Sequence, residues 1–195
     1  MSFAALFSYV FLTAFTPGPN NIMSMTNASK YGLKKSFPFN LGVLFGVLII
    51  MSISAVFSSI LFGVIPALTP AMRFIGAAYI LWLAWSVWRD VPHEGRKGLL
   101  QTNTIASGML LQLVNVKVIL YSLTVMSAFI LPHYSDVVII SAFIFLLSFI
   151  GFSATICWAV FGAVFEGLFK KYGKILNAVM ALLLVYCAAT MIFDI

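Results

Sequence analysis

Long apolar runs separated by short polar intervals organise this chain from end to end. A helix needs roughly 20 mostly apolar residues to cross the hydrocarbon core of a bilayer. Runs at about 3–25, 37–63, 68–88, 104–131, 137–165 and 174–193 reach that length. The pattern predicts an all-α integral membrane protein of six transmembrane helices, with 1–195 forming one transmembrane domain. Pro66 and Pro70 mark the expected separation of helices 2 and 3, and Pro132 the expected end of helix 4. No charge precedes Lys30, whereas a secretory leader would carry a basic segment and a small-residue cleavage site. Phe3 onward is therefore expected to be a retained first helix.

The polar intervals carry a second pattern. Lys30, Lys34 and Lys35 follow helix 1; Arg89, Arg96 and Lys97 follow helix 3; Lys170, Lys171 and Lys174 follow helix 5. With six spans these intervals fall on one side, which then holds nine of the 11 basic residues. Cytoplasmic loops attract Lys and Arg, so both termini are expected outside. The longest polar interval, His93–Gln101, divides the chain into halves of about 1–92 and 102–195. Three helices per half force the second half to insert upside down, which predicts two inverted three-helix repeats meeting at the membrane midplane. Trp82, Trp85 and Trp88 suit an interfacial belt, the alternative being a ligand-stacking cage. Gly42 and Gly46 permit close helix approach, either within one chain or in a homo-oligomer.

Composition narrows the class. The chain is 63% hydrophobic and 8% charged, against roughly 25% charged for a soluble domain. Lipid must be the partner of its outer surface. The net charge of +6 lies in loops, so nucleic-acid binding is not expected. Cys157 and Cys187 sit in apolar runs and suit packing better than a disulfide. Asn27-Ala28-Ser29 matches a glycosylation sequon by chance.

Two interruptions stand out, one in the first helix of each half. In helix 1, Thr16-Pro17-Gly18-Pro19-Asn20-Asn21 removes backbone donors and prevents regular helix. Irregular backbone at membrane depth is tolerated where protein covers it or it lines a cavity. A half-helix restarting near Asn20 would offer its N-terminal amides to an anion; a plain proline kink is the alternative. In helix 4, Asn115-Val116-Lys117 lies in a stretch with no other charge between Lys97 and Asp136. A central lysine costs about 2.5–3.5 kcal/mol on insertion scales, which marks Lys117 as a functional candidate unless it snorkels to an interface. Lys117, Tyr121 and Thr124 share one helical stripe, with Gln112, Asn115 and Ser122 on nearly the opposite one, so helix 4 is expected at the centre of the bundle.

The acids Asp90, Glu94, Asp136, Glu166 and Asp194, and the histidines His93 and His133, fall in or beside loops or at the C-terminus. No metal site, cofactor or catalytic group is expected at depth. The chain reads as a non-enzyme, and a passive channel or a structural membrane scaffold is the alternative to a transporter.

The Thr16–Asn20 run together with Asn115-x-Lys117 resembles the LysE/RhtB family of bacterial amino-acid exporters. The resemblance extends over essentially the whole chain, including Gly76–Trp85, Leu113–Tyr121, Cys157-Trp158-Ala159 and Asn177–Ala188. It is closest to the cysteine/O-acetylserine efflux branch. The family usually carries Asn-Pro-Lys in helix 4, where this chain has Val116, so helix 4 is expected to be less broken than helix 1. The resemblance implies export of a small neutral amino acid across the bacterial inner membrane, driven by the proton gradient. Pro17, Gly18, Pro19, Asn20, Asn21, Asn115, Lys117 and Tyr121 are the expected substrate-binding residues. Lys117 is also the expected coupling group, because no acid lies at depth. The amides after Pro19 and Lys117 would hold the carboxylate, and Asn20, Asn21 and Asn115 the ammonium.

Overall fold

The computed structural model describes residues 2–89 and 102–193, with backbone alone at 59–73, 86, 166–170 and 190–193. The interval His93–Gln101, with Arg96 and Lys97, and the acids Asp90, Glu94 and Asp194 lie outside the described residues, as do the side chains of Arg73, Glu166 and Lys170.

Everything regular is helical among the described residues: α1 (Phe3–Phe15), α2 (Pro19–Arg89), α3 (Ile105–Val114), α4 (Val116–Thr124), a π-helical turn (Val125–Ile130), α5 (Val137–Val164) and α6 (Glu166–Phe193). Three segments are long and apolar enough to cross a membrane: Pro19–Ser58, Val137–Val164 and Lys171–Ala189. The pair Ile105–Val114 and Val116–Ile130, bent by 69°, makes a fourth when counted as one span.

Pro19–Ser58 is not one rod. Ser24 donates its hydroxyl to Asn40 Oδ1 at 2.5 Å across 16 residues of sequence, whereas a straight helix would separate them by about 24 Å. The chain turns back at Gly32, where φ is 77° and ψ 163°. That region is open chiefly to glycine. The reversal falls among Lys30, Lys34 and Lys35, where a loop was expected. The expected separation at Pro66 and Pro70 is corrected: helical backbone runs through both, and the departure lies at Phe57 (φ −110°, ψ 19°). Helices in lipid tolerate proline when their surroundings re-satisfy the freed groups, so residue type alone does not locate this break.

The outer surface is apolar and the interior partly polar. Phe3, Phe11, Val56, Phe74, Phe145 and Val164 are exposed, while Asn21, Ser24, Asn40, Gln112, Asn115 and Thr155 are buried. α2 is central, packing on α3, α5 and α6. Its contact with α3 is backbone to backbone. A Cβ added at Gly42 would strike the Ile105 carbonyl, and one at Gly108 the Phe39 carbonyl. The Gly42–Gly46 pair therefore serves packing within the chain. Asn27 is fully buried and exchanges hydrogen bonds with Thr102, so the sequon is closed to modification. Cys157 and Cys187 form no disulfide.

Candidate functional site

The interruption in helix 1 begins because a residue before proline is pushed out of the helical region. Thr16 is extended (φ −62°, ψ 136°), and helix resumes at Pro19, a first-turn position that needs no N–H. Residues 16–18 are non-helical. The carbonyls that α1 leaves unpaired at its end would be costly in hydrocarbon, and most are satisfied by named groups. Leu12 O accepts from the Thr16 N–H (3.1 Å) and the Thr16 hydroxyl. The Asn21 amide donates to Ala14 O (2.9 Å) and Thr16 O (3.0 Å), and Trp158 Nε1 donates to Phe15 O (3.4 Å). Both of these bonds from the Asn21 side-chain amide thus support the break itself. At the other side of the break Pro19 supplies no N–H, so the donors of the new helix begin at Asn20 and Asn21.

The interruption in helix 4 is one residue long. Asn115 (φ −85°, ψ 94°) is non-helical, and its carbonyl accepts from Val118 N (3.0 Å) and Ile119 N (3.1 Å) to restart the helix. This break is shorter than that in helix 1, yet it bends the axis by 69°. The bend changes the reading of two opposed polar stripes. Gln112, Asn115, Lys117 and Tyr121 all end up around the helix 1 break, because a straight-helix projection fails across a non-helical residue.

Two amides lock the breaks together. Asn20 Nδ2 donates to Gln112 Oε1 (2.8 Å), and Gln112 Nε2 donates to Asn20 Oδ1 (3.0 Å) and to Gly108 O (3.1 Å). Asn115 Nδ2 adds a third donor to Asn20 Oδ1 at 3.2 Å.

A cavity of about 60 Å³ lies between the breaks. Gly18, Pro19, Asn20 and Asn21 form one wall, Asn115, Lys117, Val118 and Tyr121 a second, and Leu147, Gly151 and Thr155 of α5 a third. Thr13, Ala14, Thr16, Val43 and Val47 complete it. Seven of the eight expected substrate-binding residues line it; Pro17 is exposed and does not. Lys117 Nζ lies 3.5 Å from where a Cβ on Gly18 would be, so the cation stands against the helix 1 break. Among the described residues no carboxylate lines the cavity; the acid described with its side chain, Asp136, caps α5 at Val138 N (2.7 Å). Asn115 is 1% exposed, and its Oδ1 has no hydrogen-bond partner among the described residues. A buried acceptor without a partner is rare enough to need an explanation. On one flank, Tyr9 stacks on Tyr121 (6.0 Å) and on Phe129 (6.1 Å).

The expected substrate-binding set did not include Gln112, which was placed only on a polar stripe of helix 4, or the α5 wall. Gln112 was detectable as an amide in mid-span. Leu147, Gly151 and Thr155 carry no local signal, since leucine, glycine and threonine are ordinary in any span.

Comparison with known proteins gives the family. The family described as LysE type translocator matches residues 11–194. The chain belongs to the LysE family. It is 40% identical over 192 residues to the cysteine/O-acetylserine efflux protein of Escherichia coli O1:K1 / APEC, covering 97% of each chain. The efflux proteins of the same description from Escherichia coli (strain K12) and Shigella flexneri serotype 5b (strain 8401) are each 39% identical, again over 97% of each chain. No solved structure matches. Both helix breaks fall inside the matched region, and this LysE-type chain is a transporter rather than an enzyme.

Proposed function

We propose that this LysE-type translocator exports small neutral amino acids, of the cysteine and O-acetylserine kind, across the bacterial inner membrane. The observation that carries the reading is the placing of Lys117 and Asn115, whose buried Oδ1 has no partner among the described residues, in the wall of one cavity between two helix breaks. An amino-acid zwitterion needs a donor set for its carboxylate and an acceptor for its ammonium. Lys117 and the backbone N–H groups of Asn20 and Asn21 provide the first, and Asn115 Oδ1 the second. A water needs about 10–15 Å³ of such space, so a cavity of about 60 Å³ suits a ligand of few heavy atoms. The family relationship supports the same class of substrate.

The reading includes a six-span architecture. α1 and the first arm of α2 (19–31) are each about 20 Å long, short of a roughly 30 Å core, and cross it only together. The arm 33–58 is a second span, the helix ending at Arg89 a third, the bent α3–α4 unit a fourth, α5 a fifth and α6 a sixth. Both termini then face outward, the three-helix halves are inverted repeats, and the cavity sits where their broken first helices meet. Export is driven by the proton gradient, with Lys117 as the coupling group because the cavity wall holds no acid among the described residues.

The test is efflux of labelled neutral amino acids from proteoliposomes, with and without an uncoupler. Saturable, uncoupler-sensitive transport is expected, and Lys117→Met should abolish gradient-driven movement. Undiminished uphill transport by Lys117→Met would sink the coupling role. Flux that neither saturates nor responds to uncoupler would assign a passive channel, and no flux at all a scaffold.

A further inference from the structure

Most helical glycines described here are explained by what lies against them. A Cβ added at Gly42, Gly46, Gly108 or Gly162 would come within 3.0 Å of a neighbouring helix. Gly151 is different. It sits inside the unbroken helix α5, and a Cβ there would meet nothing within 4 Å. Glycine weakens a helix interior, and at this position neither close packing nor a turn accounts for it.

What the missing side chain opens is the cavity. Leu147, Gly151 and Thr155, spaced by four residues, form one face of α5 and the third wall. The Thr155 hydroxyl is engaged by Phe152 O at 2.8 Å. This wall therefore makes little polar demand and has a notch at its middle, whereas the two helix breaks opposite hold the groups that match a zwitterion.

We propose that Gly151 sets the size limit on the transported side chain, which seats in the notch beside it while the charged ends of the amino acid are held at the breaks. The inference rests on the export reading above and adds the residue that selects among its substrates. In a cavity of about 60 Å³, each carbon added at position 151 occupies space a side chain would use.

The experiment compares wild type, Gly151→Ala and Gly151→Val in proteoliposomes, with labelled L-alanine and labelled O-acetyl-L-serine as substrates. Rates are normalised to folded protein by unfolding in detergent. The ratio of O-acetylserine to alanine transport is expected to fall at each step, by about tenfold at valine, the scale on which a pocket discriminates a methylene or two. Gly151→Ala keeps the test decisive should valine prevent folding, because its methyl group meets nothing within 4 Å. An unchanged ratio, or a parallel loss of both substrates at equal folded protein, would overturn the role of Gly151 while leaving export intact. Wild-type protein that moves neither amino acid would overturn the export reading, and this inference with it.

Discussion

Asn20 and Gln112, 92 residues apart along the chain, exchange a reciprocal pair of side-chain hydrogen bonds of 2.8 and 3.0 Å. They tie the start of the second half-helix of helix 1 to the last turn before the break in helix 4. Interhelical side-chain bonds in membrane proteins contribute about 0.6 kcal/mol on average and up to about 1.7. Gln112→Ala is therefore expected to destabilise the folded state by about 1–2 kcal/mol and to slow transport, because the two breaks lose their register. A double-mutant cycle with Asn20→Ala, read by denaturant unfolding in detergent, should give a coupling energy of about 1 kcal/mol. Strict additivity would show that the two amides act independently.

Asn21 supports the helix 1 break from within, donating to Ala14 O and Thr16 O. Asn21→Leu removes both donors and leaves two carbonyls unpaired at depth, at a cost of about 1–3 kcal/mol each when buried. Trp158→Phe removes a single, longer bond of 3.4 Å to Phe15 O. The expected order of unfolding temperature is wild type, then Trp158→Phe, then Asn21→Leu. A reversed order would mean that Trp158, not Asn21, holds the break.

The turn at Gly32 and the contact at Gly108 both need glycine, for different reasons. At Gly32 the constraint is conformational: φ is 77° and a Cβ would meet nothing within 4 Å. Gly32→Ala should cost about 1–3 kcal/mol, and Gly32→Asn about as much, because a ψ of 163° lies outside the left-handed helical region that asparagine enters. At Gly108 the constraint is space, since an added Cβ would run into the Phe39 carbonyl. Gly108→Ala should cost about 1–3 kcal/mol or more by forcing α2 and α3 apart, and Gly108→Asn should be worse than Gly108→Ala. Thermal unfolding of the four variants separates the two cases.

Tyr121 lines the cavity, while Tyr9 and Phe129 stack beyond it. In an uninterrupted α-helix, residues 121 and 129 would be offset by about 80° around the axis. The π-helical turn Val125–Ile130 widens the spacing and allows both rings to meet Tyr9. Stacked aromatic pairs contribute about 0.5–1.5 kcal/mol beyond burial. Tyr9→Ala is expected to raise passive exchange of labelled alanine several-fold without a gradient. Exchange unchanged from wild type would show that the stack does not close the cavity.

Much of the bundle was legible in the residues themselves. The three long apolar segments, and the bent pair that makes a fourth, follow from the cost of placing polar groups in hydrocarbon, a property each run carries on its own. The helix 1 break follows from two prolines around a glycine, because a missing N–H is covalent and no packing restores it. Lys117 was detectable because a charge at depth is expensive wherever its neighbours lie. The turn between helices 1 and 2 was expected among its lysines. The departure at Phe57 was missed, since phenylalanine signals no break and Pro66 and Pro70 suggested one elsewhere.

The sequence by itself determined that this chain suits lipid, where helix 1 is broken, and which lysine interrupts an apolar run, because each of these depends on local covalent chemistry or on transfer from water. Only the tertiary structure decided what meets what. It brought Gln112 and Asn115 onto Asn20, left Asn115 Oδ1 without a partner among the described residues, and gave the glycines opposite meanings. Gly42 and Gly108 lie against a helix, while Gly151 faces open space. A residue without a side chain carries no mark of its use, and an amide none of its partner, so both are settled by the helix that packs alongside.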